Sequence, residues 1–213
     1  MRIHPLPLLL LLGCNNSKPA EPAKATEPAK TAEPAAAEPA RPEAAKPAEP
    51  AAAEPAVTLA VGAPAPDFSL TGSDGKTHTL AELRGQRAIV LAWFPKAFTG
   101  GCTAECKSLK EGGDAIRKYD AAYFAVSTDT PEDNKKFAEQ LSADFPILAD
   151  PTGETAKAFG VLGADGKHAR RWTFYIDKDG NVRDVDREVK PATAAPDVAQ
   201  HLEKLGVAKR PPT

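Results

Sequence analysis

Apolar residues divide the chain into two parts. Up to residue 56 there is one short leucine run and then nothing large enough to bury; from Val57 onward apolar residues recur at strand and helix spacing. Ala88-Ile89-Val90-Leu91-Ala92-Trp93-Phe94 is a continuous apolar run closed by Pro95, the pattern of a central strand covered on both faces. Ala122–Ser127 and Phe145–Ala149 read as two further buried strands, and Trp172–Ile176 and Val182–Val185 as strands around the turn Lys178-Asp179-Gly180-Asn181. Phe68-Ser69-Leu70 alternates and leads into Ser73-Asp74-Gly75-Lys76, so an entry hairpin is expected. A helix is predicted over 102–119, with Leu109, Ala115 and Ile116 on one side. A second starts at Thr130 as cap with Pro131 in the first turn. A third covers Glu154 to Phe159 and is stopped by Gly160, and a last one runs from about Pro196 to Leu205. The order β-α-β-α-β-α-β-β-α predicts an α/β domain, a central mixed β-sheet flanked by helices, with helices between parallel strands and an antiparallel hairpin at the end.

The first part of the chain changes the picture from one domain to a domain with an attachment. Residues 1–13 carry one arginine, a leucine-rich stretch and Gly13, which is the build of a secretory signal. Leu11-Leu12-Gly13-Cys14 resembles the lipobox of bacterial lipoproteins, and the resemblance implies cleavage before Cys14 and lipidation of that residue. In residues 14–56, Glu-Pro-Ala recurs at Glu21, Glu27, Glu33, Glu38, Glu49 and Glu54. Proline removes backbone donors and blocks helices, so this segment is expected to be a disordered tether. Fully extended, it would reach about 130 Å. The globular domain is expected over 57–213. These segments together place the domain in the cell envelope, on the periplasmic side of a membrane. Asn15 after the anchor favours the outer membrane if the source is Gram-negative. The formal net charge of −2, from 27 basic and 29 acidic residues, argues against a nucleic-acid partner.

Of three cysteines, Cys14 stands apart and Cys102 and Cys106 form a close pair, which fits redox chemistry or metal binding better than a disulfide-stapled scaffold. Cys102 follows a buried strand and opens a predicted helix. Unpaired N–H groups and the positive end of the helix dipole gather there, and both favour the thiolate, the nucleophilic form. Gly100 and Gly101 let the backbone turn tightly and approach a small ligand. The Thr99 hydroxyl is placed to donate to an oxygen or to the sulfur.

Pro95-x-x-x-Thr99-x-x-Cys102 resembles the active-site motif of the peroxiredoxins, in particular their monomeric bacterioferritin-comigratory (Q-type) group. Arg171-Trp172-Thr173-Phe174-Tyr175-Ile176-Asp177 resembles the segment carrying that family's active-site arginine, with Arg170 as the adjacent alternative. Thr128–Glu132, Phe145–Pro151 and Ala156–Val161 resemble its middle region, and the likeness spans residues 62 to about 205. The resemblance implies a thioredoxin-like fold and a peroxidase needing no cofactor. Cys102 would attack the peroxide and become a sulfenic acid. Thr99 and Arg171 would hold the thiolate and polarise the O–O bond, and Pro95 would shield the sulfur. A resolving thiol would then form a disulfide, to be reduced by a thioredoxin-like or other dithiol partner.

The chain departs from that pattern at Ala97, where an acidic residue is common, and at Gly100, where proline is common. Its second cysteine is also one position closer to the first than in members of the group with a local resolving cysteine. Residues i and i+4 share a helix face with Cβ atoms about 5–6 Å apart, whereas a disulfide needs about 3.5–4.5 Å. Cys106 could therefore resolve Cys102 only by local unwinding; otherwise it is a small buried helix residue and an external thiol does the work. Cys102-x-x-x-Cys106 with the later His168 also resembles the copper ligands of Sco-type chaperones, and two thiolates with an imidazole suit copper. That alternative gives no role to Pro95, Thr99 or Arg171.

Overall fold

The structure, a computed structural model, describes residues 59–211. The predicted signal, the tether and Cys14 lie outside the described residues. The entry hairpin forms as expected from β1 (Ser69–Gly72) and β2 (Thr77–Thr79). A single helical turn that the pattern does not predict, α1 (Leu80–Leu83), follows it, capped by the Thr79 oxygen on the Glu82 N–H. Then come β3 (Ala88–Trp93), α2 (Gly100–Glu111), α3 (Gly113–Arg117), β4 (Ala121–Ser127) and α4 (Pro131–Leu141). The chain continues through β5 (Ile147–Ala149), α5 (Glu154–Ala158), β6 (Trp172–Ile176) and β7 (Val182–Asp186) to α6 (Ala194–Lys204).

The strands form one mixed seven-stranded sheet in the order β2-β1-β5-β4-β3-β6-β7. β3 pairs parallel with β4 and antiparallel with β6, and all its residues are buried. Side chains alternate across a strand. Val90, Ala92 and Phe94 accordingly join one core with Ile116, Phe137, Val198 and Leu202. Ile89, Leu91 and Trp93 join a second core with Leu80, Phe159, Val161 and Phe174. Two cores, one on each face, are the reason the β3 run is apolar without interruption.

The predicted 102–119 helix instead begins at Gly100 and breaks at Gly112. The break falls at Gly112-Gly113, glycine being a poor helix former, and close packing leaves no room for a side chain at either position. A Cβ on Gly112 would lie 2.5 Å from the Cβ of Ala195 on α6, and one on Gly113 would lie 2.7 Å from the Tyr123 hydroxyl on β4. Helices link the parallel strands β3, β4 and β5 as expected. α5 does not, because the chain after it crosses to the far side of β3 and β6 runs antiparallel there. The entry hairpin extends the sheet by pairing β1 antiparallel with β5. Thr130 caps α4 as predicted, its oxygen accepting from the Asp133 N–H at 3.2 Å, and Gly160 ends α5 at a φ of 68°.

Candidate active site

At the end of β3 the Phe94 N–H still bonds to the Val126 carbonyl at 2.9 Å. Pro95 has no N–H to continue the ladder, and the chain leaves the sheet. The Ala97 N–H donates to Asp129 Oδ2 at 2.8 Å. Phe98 adopts a left-handed φ of 63° and sets its ring edge-on to Phe137, centroids 5.1 Å apart. The Thr99 hydroxyl donates to the Lys96 carbonyl at 2.9 Å. This corrects the expectation for Thr99: its proton closes the loop and is not given to the sulfur. Thr99 is also the residue before α2, with no side-chain cap on the helix and no acidic residue in the first turn. The positive end of α2 is therefore uncompensated where Cys102 sits.

Cys102 is buried, with 1% of its surface exposed. Arg171, the residue just before β6, donates Nη2 to Cys102 Sγ at 3.3 Å and Nη1 to the Glu105 carboxylate. Arg170 instead lies over the Trp172 ring, as does Arg187, so of the two candidate arginines Arg171 meets the sulfur. A Cβ on Gly101 would come within 3.1 Å of Arg171 Nη2, whereas one on Gly100 would meet nothing within 4 Å. Gly101→Ala is thus expected to shift the guanidinium and slow oxidation of Cys102 about tenfold. Gly100→Ala is expected to leave that step unchanged. Stopped-flow peroxide mixing reads both.

Glu105 was missed in the sequence. It lies one helical turn after Cys102, on the same face, and that spacing from a reactive cysteine is the signal that could have found it. It is 1% exposed, and its Oε1 has no partner among the described residues. Burial lifts its carboxyl from an ordinary 4.5 to about 7, against the opposing pull of the Arg171 charge. Between these two values the folded protein binds more protons than the unfolded chain, so stability falls as pH rises through that window. The shift corresponds to about 3 kcal/mol. Glu105→Gln is expected to remove this fall, which denaturant midpoints between pH 4 and pH 8, on the order of the two values, would register.

Cys106 is fully buried one turn after Cys102, and the two cysteines are not joined by a disulfide. Burial, with the Glu105 and Cys102 charges adding to it, pushes the Cys106 thiol well up, so it is neutral in the intact helix. His168 is not brought to the cysteines. Its Nδ1 meets Asp165 Oδ2 at 2.6 Å, and the loop closes on itself through Gly163 N–H to the His168 carbonyl at 2.7 Å. Among the described residues no group of three or more His, Cys, Asp or Glu side chains is placed to hold a metal ion. The Cys102, Cys106 and His168 copper set is therefore not assembled, and Arg171 takes the place beside the sulfur.

An arginine on a buried cysteine sulfur, in front of a sheet of this order, defines a thioredoxin-fold protein whose reagent is a cysteine thiol. The family model for the AhpC/TSA family matches residues 61–185. Alkyl hydroperoxide reductase E of Mycobacterium tuberculosis is 37% identical over 127 residues, 59% of this chain and 83% of that protein. Peroxiredoxin Bcp of Escherichia coli is 36% identical over 140 residues, 62% of this chain and 88% of that protein. The crystal structure of peroxidoxin BcpB from Mycobacterium tuberculosis superposes with a TM-score of 0.62 at 32% identity, covering 68% of this chain and 97% of that one. The chain belongs to the AhpC/TSA family. It is a peroxiredoxin of the Bcp (peroxiredoxin Q) type, a thiol-dependent peroxidase.

Proposed function

We propose that Cys102 is the sulfur that reduces the peroxide and that Cys106 resolves it. The observation that carries this reading is the Arg171 hydrogen bond to Cys102 Sγ at the uncapped start of α2. The Cys102 thiolate attacks one peroxide oxygen. An S–O bond forms, the O–O bond breaks, and the departing oxygen takes a proton and leaves as water or an alcohol. Arg171 stabilises charge on the reacting atoms. Since the Thr99 proton is committed to Lys96, its oxygen lone pairs are available to accept the hydroperoxide O–H. Half-buried Pro95 has the role the family resemblance gives it, shielding the sulfur. The substrates are hydrogen peroxide and organic hydroperoxides, in keeping with a relative named for alkyl hydroperoxide reduction. Consumption of these peroxides by the domain from Val57 onward, with a sulfenic acid trapped on Cys102, tests the assignment; a peroxidase that never modifies Cys102 overturns it.

The neutral, buried Cys106 thiol and the i, i+4 spacing both require that the first turn of α2 open before a disulfide forms. Two glycines and the missing cap make that turn easy to unwind. Alanine at Gly100 stabilises a helix by about 0.5–1 kcal/mol, so Gly100→Ala is expected to slow disulfide formation about two- to fivefold. In Cys106→Ser, turnover with a thioredoxin-type reductant is expected to stop while a single round of Cys102 oxidation continues. Parental turnover in that variant would assign resolution to an external thiol.

We further infer that the domain works in the cell envelope, anchored through lipid on Cys14 and carried by the 14–56 tether, with the outer membrane as the favoured site. The support is the signal-like stretch and the lipobox resemblance in the sequence. The reductant then operates outside the cytoplasm. Incorporation of labelled fatty acid that is lost in Cys14→Ser checks this reading, and an unlabelled protein in the soluble fraction would overturn it.

A further inference from the structure

Beyond the residues already placed around Cys102, we propose that Asp129 is the positioning residue that holds the active-site loop in register with Arg171. The inference rests on Cys102 being the reactive sulfur. After Phe94 the sheet offers the chain no further ladder bond, because Pro95 has no N–H. The loop must nevertheless deliver α2 so that Cys102 Sγ lies 3.3 Å from an arginine at the entrance to a different strand, β6. Ala97, 3% exposed, is where the loop is fastened: its N–H donates to Asp129 Oδ2 at 2.8 Å. The next residue, Phe98, sits in the left-handed region, which a bulky side chain adopts only when its surroundings compel it.

Asp129 is itself held from behind. Its N–H donates to Ser127 Oγ at 3.2 Å, Ser127 Oγ donates to Asn134 Oδ1 at 3.0 Å, and Asn134 Nδ2 donates to the Leu148 carbonyl at 3.0 Å. Ser127 and Asn134 are fully buried. The chain of bonds therefore runs from β5 through α4 and the end of β4 to the loop, and each link is a short side chain with little freedom. Buried, fully satisfied polar networks specify one geometry because any slip leaves a polar group unpaired. Asp129 makes no bond to Cys102, Arg171 or Glu105. Its effect on the reaction passes through Ala97, Thr99 and the start of α2. The carboxylate is needed as a hydrogen-bond acceptor and not for its charge.

That last point separates a positioning role from a general contribution to folding. Three full-length proteins are compared, the parent, Asp129→Ala and Asp129→Asn, for the second-order rate of Cys102 oxidation by hydrogen peroxide and for the denaturation midpoint. Asp129→Ala is expected to lose about tenfold or more in rate, and Asp129→Asn, whose amide oxygen still accepts from Ala97, to recover to within about threefold of the parent. An Ala variant that reacts at the parental rate overturns the proposal, as does an Asn variant as slow as Ala at a parental midpoint. Amide hydrogen exchange in the parent keeps the test open if the Ala variant does not fold. The Ala97 amide is expected to exchange more slowly than those of Lys96 and Phe98, and fast exchange at Ala97 overturns the assignment. If the parent itself leaves Cys102 unoxidised, it is the reading of Cys102 that fails.

Discussion

With Cys102 replaced by serine, peroxide consumption is expected to fall to the uncatalysed background. The thiolate is the attacking species. A hydroxyl at the same place is not ionised near neutrality and cannot be oxidised to the equivalent of a sulfenic acid. The substitution spares the fold, because serine is close in size and its oxygen can accept the Arg171 hydrogen bond that Sγ accepts at 3.3 Å. The loss will therefore appear in the rate with an almost unchanged denaturation midpoint. Peroxide consumption by Cys102→Ser at more than background, sustained by Cys106, would assign the chemistry to the wrong sulfur. The structure argues against that outcome, since the Cys106 thiol is fully buried and held neutral.

Arg171→Met is expected to slow oxidation of Cys102 about 10²–10³-fold, the usual cost of removing one preorganised donor from developing charge. Arg171 acts with two arms, one on Cys102 and one on Glu105. Arg171→Lys keeps the charge and loses the planar fork, so it should recover only part of the rate. Removing the guanidinium also leaves Glu105 buried with no opposing charge. Its carboxyl would then take up a proton, since burial is already the largest influence on it. Glu105→Gln keeps an oxygen for Arg171 and should cost much less. If Glu105 acts through Arg171, its substitution should have no further effect on rate in the Arg171→Met background. An Arg171→Met enzyme within about threefold of the parent would remove the arginine from the mechanism.

The elements of the domain were legible because their signals are local. A run such as Ala88–Phe94 describes its own burial, and Thr130-Pro131 describes its own helix start. The candidate motif was readable for the same reason: Pro95, Thr99 and Cys102 lie on one short stretch, and their spacing records a strand end, a loop and a helix start. The helix break was legible too, since Gly112-Gly113 is a local breaker signal; what was hidden is that Ala195 and Tyr123 pack too close there to admit a side chain. The hairpin docking on β5 was equally hidden, since nothing in residues 69–79 names the strand they will pair with.

The site divides along the same line. By itself the sequence determined that a cysteine opens a helix after a buried strand, with a proline and a threonine before it and a second cysteine one turn on. Tertiary structure decided everything that reaches this cysteine from elsewhere. It brought Arg171, 69 residues away, to the sulfur and turned Arg170 aside; it used Asp129, 32 residues from Ala97, to fasten the loop; and it kept His168 away from the cysteines. It also raised the proton affinity of Glu105 and Cys106, by burying them. The physical reason is common to all of these. A strand or a helix start depends on neighbours in the chain, whereas a contact across the sheet and the proton affinity of a buried group depend on neighbours in space, which exist only once the two cores have closed.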